Sequence, residues 1–127
     1  MASELRVNTL KDAAGNNSIA TSFVAGGSAK AWIAFNGSGT IAIRDSHNIA
    51  SISDGGNGLY GVNFTSTMST ANYSSICNRA SFASTTAGNA NACTVTSGSI
   101  TKLQSYDDSG SLGDRDNITA HVQGDLA

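Results

Sequence analysis

Between Lys30 and Phe64 the chain reads KAWIAFNGSGTIAIRDSHNIASISDGGNGLYGVNF. Short runs of β-branched and aromatic residues alternate there with clusters of Gly, Asn, Asp and Ser. Such a pattern writes strands joined by turns, because strand side chains point alternately to two faces and the turn residues supply backbone angles that strands lack. In AWIAF, residues 31–35, Ile33 and Phe35 fall on one face and Trp32 and Ala34 on the other. Apolar residues on both faces predict a strand that is central in its sheet or lies under a neighbouring subunit. Asn36-Gly37 predicts a tight turn. DGGNG at 54–58, between apolar runs at 49–53 and 59–64, predicts a hairpin whose exact pairing the pattern leaves open.

The same signals recur more weakly elsewhere. SELRVNTL, residues 3–10, alternates with Leu5 and Val7 on one side, and predicts a strand. DAAGNN at 12–17 predicts a turn, and residues 19–24 a weak strand broken by Gly26-Gly27. Further strands are predicted over 73–77, 92–96, 100–106 and 118–123, with loops at 84–91 and 107–116. Capped apolar patterns of helical period are absent. These segments predict an all-β fold: a single-domain antiparallel β-sandwich, jelly-roll-like, of about eight or nine short strands spanning 1–127. Residues 1–24 are expected to form an N-terminal arm or a strand segment that contacts another subunit. No fixed-period repeat appears, which argues against a propeller or solenoid.

Composition sharpens this. A chain of 127 residues suits one core. It contains no proline, so its turns rest on Gly, Asn and Asp. Charged residues make up 13% and the net charge is −2, which offers no electrostatic basis for holding nucleic acid or a membrane surface. A weakly charged surface instead suits broad protein contact, since few charges need desolvating. The opening MASELRVNTLKD puts charges where a secretory signal needs an apolar stretch, which predicts synthesis in a cytoplasm. Cys77 and Cys93 are the two cysteines. They are read either as separate buried thiols or as one bridge closing a loop of moderate length.

Candidate chemistry is sparse. Arg44-Asp45-Ser46-His47 sets a carboxylate, a hydroxyl and an imidazole in a row, but neighbours along a strand face opposite ways and do not converge as a triad must. His47 is expected in the turn that follows, and His121 at a surface or interface. With two histidines in the chain, a histidine-rich metal site is excluded. Asp107, Asp108, Asp114 and Asp116 share one loop; they read as a solvated acidic loop, with calcium binding or an acidic contact patch as the alternatives. No catalytic residue, metal ligand or cofactor site is assigned, and the chain is read as non-enzymatic. Trp32 and Phe35 are expected in the core, with one of them at a subunit contact. Leu5, Val7, Trp32 and Phe35 are the candidate subunit-contact residues.

Three pieces of the sequence carry a resemblance. The opening SELRVNTLKDAAGNNSIATSF, the central KAW-x-x-FNG-x-GT-x-x-IRDS pattern from Lys30 to Ser46, and the ending ITAHVQGDLA resemble tail-fibre and small head-associated proteins of tailed-bacteriophage virions. Together they cover about half of the chain; residues 66–116 diverge. The resemblance implies a virion structural protein made in the host cytoplasm. The absence of a shaft in so short a chain favours a capsid decoration or cement protein, acting as a homo-oligomer (a trimer) that contacts the major capsid protein. The alternative is a tail-fibre or receptor-binding domain that recognises host surface glycans, with the 54–58 tip and Tyr60 as the sugar contact.

Overall fold

A computed structural model describes residues 3, 6–80, 92–107 and 109–127. These residues form ten strands and one short helix: β1 (Thr9–Lys11), β2 (Ser18–Ala20), α1 (Thr21–Gly27), β3 (Ala29–Asn36), β4 (Ala42–His47), β5 (Ile49–Gly56), β6 (Leu59–Phe64), β7 (Ser74–Ala80), β8 (Ala92–Thr96), β9 (Ser99–Gln104) and β10 (Asn117–Gln123). The fold is an all-β sandwich. One four-stranded sheet has the order β4-β3-β10-β7 and the other β5-β6-β9-β8, every pairing antiparallel; β1 and β2 form a separate two-stranded ribbon. The pairs β3–β4, β5–β6 and β8–β9 are hairpins within a sheet, and the connections between them cross from one sheet to the other. No described helix is long and apolar enough to cross a membrane.

Alternation along the strands builds the core. In β3 the inward residues Ala31, Ile33 and Phe35 are buried, as are Ile118, Ala120 and Val122 of β10 beside them. The opposite sheet contributes Tyr60, Val62 and Phe64 from β6 and Ile100 and Leu103 from β9. Phe35 and Tyr60 meet edge to face across the sandwich, their ring centres 5.2 Å apart. Met68, in the crossing from β6 to β7, seals one end of this core.

The change of sheet after β4 turns on Asn48, a non-glycine residue with φ of 57°. Asparagine tolerates this left-handed geometry because its short amide can bond locally. Here the Asn48 amide donates to the carbonyls of Lys30 and Ser66, both at 3.0 Å, and its oxygen accepts from the Ser66 N–H at 2.7 Å. One side chain thus ties β3, the β4–β5 corner and the exit from β6 together.

Three expectations need correction. The strand predicted over 3–10 reduces to Thr9–Lys11, and Leu5 lies outside the described residues. The weak strand predicted over 19–24 ends at Ala20, and α1 follows it. This helix has no side-chain cap. Its ends are fixed by other parts of the chain: the Thr21 N–H and hydroxyl donate to the Asn8 carbonyl at 3.0 and 3.2 Å, and Lys30 Nζ donates to the Ala25 carbonyl near the last turn. The turn at Asn36-Gly37 is a longer loop over 37–41, in which the Asn36 amide donates to the Ser38 and Thr40 carbonyls and Gly39 takes the positive φ. The loop expected at 84–91 lies outside the described residues.

Candidate interaction surface

The first notable surface is the N-terminal arm, residues 6–27. Its ribbon is shaped by Asp12, whose carboxylate accepts from the Asn16 N–H at 2.8 Å and from the Asn17 side-chain amide at 2.8 Å. These donors, the Asn16 backbone N–H first, hold the Asp12 carboxyl below the usual carboxylate range. The chain passes from the arm to the sandwich through the single residue Ser28, and Gln123 Nε2 fastens the Gly27 carbonyl at 3.1 Å. No residue of α1 is buried, and β1 and β2 are exposed almost throughout. Val7, Leu10, Ile19, Phe23 and Val24 are therefore five of the eight large apolar side chains that the described residues leave exposed, with Phe23 at 73%.

A second surface lies on the outer face of the β4-β3-β10-β7 sheet. Strand register sets His47, Trp32, His121 and Ile76 side by side in one row, and Asp45, Ala34, Thr119 and Asn78 in the next. Trp32, Ala34, Ile76, Asn78, Thr119 and His121 line an open groove of about 420 Å³. Ile76 is 59% exposed there. Apart from the two flanking histidines, Asp45 is the one ionisable side chain in these two rows.

Alternation in β3 had placed Trp32 and Ala34 opposite Ile33 and Phe35, and the structure agrees. It corrects which residue is core: Phe35 is wholly buried and Trp32 is half-buried on the outer face. Phe35 is consequently closed to any contact with another subunit, because its ring packs on Tyr60 inside the sandwich. Val7 is exposed, in the arm. His47 ends β4 rather than entering the next turn.

The loop aspartates are structural. Asp107 Oδ1 accepts from the Ser109 hydroxyl at 2.6 Å, the Ser111 N–H at 2.8 Å and the Ser109 N–H at 2.9 Å. The Ser109 hydroxyl, followed by the Ser111 N–H, lowers the Asp107 pKa. Asp114 Oδ1 accepts from the Gly58 N–H at 2.7 Å and lies 2.9 Å from the Tyr60 hydroxyl. The loop is therefore not simply solvated: Asp107 folds it on itself and Asp114 ties it to the β5–β6 tip. Asp108 lies outside the described residues, among which no group of His, Cys, Asp and Glu could hold a metal ion. Gly58 makes the close approach possible. Its φ is 67°, and a Cβ there would sit 2.5 Å from the Gly113 nitrogen and the Ser105 carbonyl oxygen. Tyr60 is 1% exposed, so the hairpin tip offers no aromatic ring to a sugar.

Cys77 and Cys93 form a disulfide. The bridge links β7, at the edge of one sheet, to β8, at the edge of the other. Of the two expected arrangements the bridge is the one present, because β7 and β8 are the edge strands of the two sheets that lie against each other. Residue spacing alone carries no sign of that proximity.

No protein-family model, curated protein or solved structure matches the chain.

Proposed function

We propose that this chain is a non-enzymatic structural protein of a tailed-bacteriophage virion, a decoration or cement subunit on the outer surface of the capsid. It acts as a homo-oligomer, a trimer, and contacts the major capsid protein. The observation that carries this reading is the arm. A sandwich with a complete core carries, on a one-residue connection, a segment whose large apolar side chains stay partly exposed, Phe23 most of all. Exposed apolar surface of this kind marks a protein contact, and a subunit that adds interface between neighbouring capsomers stabilises a shell against internal pressure. The low charge of the chain suits the same role, since little need be desolvated on assembly. The viral context comes from the likeness of the Lys30–Phe64 segment to virion proteins.

Three carboxylates have partners close at hand in the fold. Asp107 and Asp114 fasten a loop, and Asp45 accepts from the Ser46 N–H beside it at 2.8 Å. Particles assembled without this protein are expected to lose infectivity faster on heating than complete particles. Equal survival of the two would contradict the cementing role.

A further inference from the structure

We propose that the arm of one copy seats on the outer face of the β4-β3-β10-β7 sheet of a second copy, over the groove at Trp32, Ile76 and His121. The inference rests on the assembly reading above and specifies its contact.

Two unpartnered apolar elements occur in the same chain. The arm presents Leu10, Ile19, Phe23 and Val24 to solvent, and the sheet presents Ile76 beside half-buried Trp32. The six residues named as lining the groove include no carboxylate and no lysine or arginine, so apolar side chains can enter without desolvating a fixed charge. The described arm spans residues 6–27, enough chain to supply one side of a standard interface, of which the groove receives a part.

The contact forms between copies rather than within one. Ser28 is the single residue between α1 and β3, and Lys30 and Gln123 both bond the carbonyls at the end of α1. This leaves no slack for the helix to turn back over its own sheet. Trp32 lies three residues into β3, about 10 Å from the arm's root at the usual strand rise. A copy that extends its arm to a neighbour therefore has its own groove beside the place where that arm departs. Arm into groove is a heterologous contact, and repeated around an axis it closes a ring.

The test uses the full chain in two isotopic forms, mixed, with a photo-cross-linking amino acid at position 23. The expected cross-link joins position 23 of one form to peptides of the other that contain Trp32, Ile76 or His121. The Ile76→Glu variant, altered at an exposed position, is expected to keep the wild-type melting temperature and to weaken self-association by roughly tenfold or more. An oligomer that cross-links elsewhere, or that Ile76→Glu leaves intact, overturns this contact but not the assembly reading. A Trp32 groove that binds host surface polysaccharide while Ile76→Glu leaves self-association unchanged also overturns it, in favour of sugar binding. Absence of the chain from purified virions defeats the assembly reading itself, whatever the cross-links show.

Discussion

The Tyr60 hydroxyl lies 2.9 Å from Asp114 Oδ1 and 2.8 Å from the Gly37 carbonyl oxygen, so one phenol joins three segments that are distant in sequence. Around it, the Asn57 amide donates to the Leu112 carbonyl at 2.8 Å, and the Gly37 N–H donates to the Arg115 carbonyl at 2.8 Å. This knot closes the end of the sandwich opposite the arm. Tyr60→Phe keeps the ring contact with Phe35 but removes the hydroxyl. It is expected to cost about 1–3 kcal/mol, because the buried Gly37 carbonyl loses a donor. Chemical denaturation of the two proteins measures this; equal midpoints would mean that the knot contributes nothing.

Alkaline pH should undo the same architecture. Burial, with the Asp114 hydrogen bond and charge after it, raises the Tyr60 pKa well above the ordinary phenol value. Burial alone pushes Tyr73 up to about 12; its hydroxyl lies 3.0 Å from the Thr96 and Ser99 carbonyl oxygens. A phenol with a raised pKa keeps its proton in the fold to a higher pH than in the unfolded chain. Its contribution is therefore complete below about pH 10, the unfolded value, and drains away as the pH rises toward 12. Thermal melts should be flat up to about pH 10 in this respect and fall above it, with tyrosinate absorbance rising together with unfolding. In the Tyr106→Phe variant, whose two remaining tyrosines are Tyr60 and Tyr73, tyrosinate formed at pH 10 in a chain still folded would contradict this.

The Cys77–Cys93 bridge closes a loop with a sequence separation of 16. Its loss, by reduction or by Cys77→Ser with Cys93→Ser, is expected to cost roughly 3 kcal/mol, mostly through the freedom regained by the unfolded chain. That corresponds to a melting temperature lower by about 10 °C for a domain of this size. Differential scanning calorimetry with and without reductant provides the comparison, and coincident transitions would show that the bridge adds no stability.

Ser105 is buried, and its hydroxyl has no hydrogen-bond partner among the described residues. Its backbone is well used: the N–H donates to the Gly58 carbonyl at 2.8 Å, and its carbonyl accepts from the Gly113 N–H at 2.9 Å. Removing an unsatisfied buried hydroxyl while keeping this backbone should be neutral or stabilising. Ser105→Ala is thus expected to melt at or above the wild-type temperature, and a clear drop would reveal a partner for the hydroxyl.

Much of the sandwich was legible because period-two alternation and turn residues are local signals. The run at 59–64 is strand β6, the run at 92–96 is β8, and the alternation of 31–35 assigned the two faces of β3 correctly. Alternation does not say which face is inner. Phe35 is inner because Tyr60 stands across from it, a pairing between sheets that no local pattern encodes. The same holds for the disulfide and for Asp114, whose partners arrive from distant hairpins. Helix α1 was illegible for the opposite reason. TSFVAGG has neither cap nor apolar period, and its ends are fixed by Asn8 and Lys30 from outside it.

The proposed role makes this chain a many-copy part of a virion capsid. Quantitative mass spectrometry of purified particles, referenced to the major capsid protein, tests it directly. Hundreds of copies per particle are expected. About a dozen copies would move the chain to the tail, and its absence from particles would contradict the claim outright.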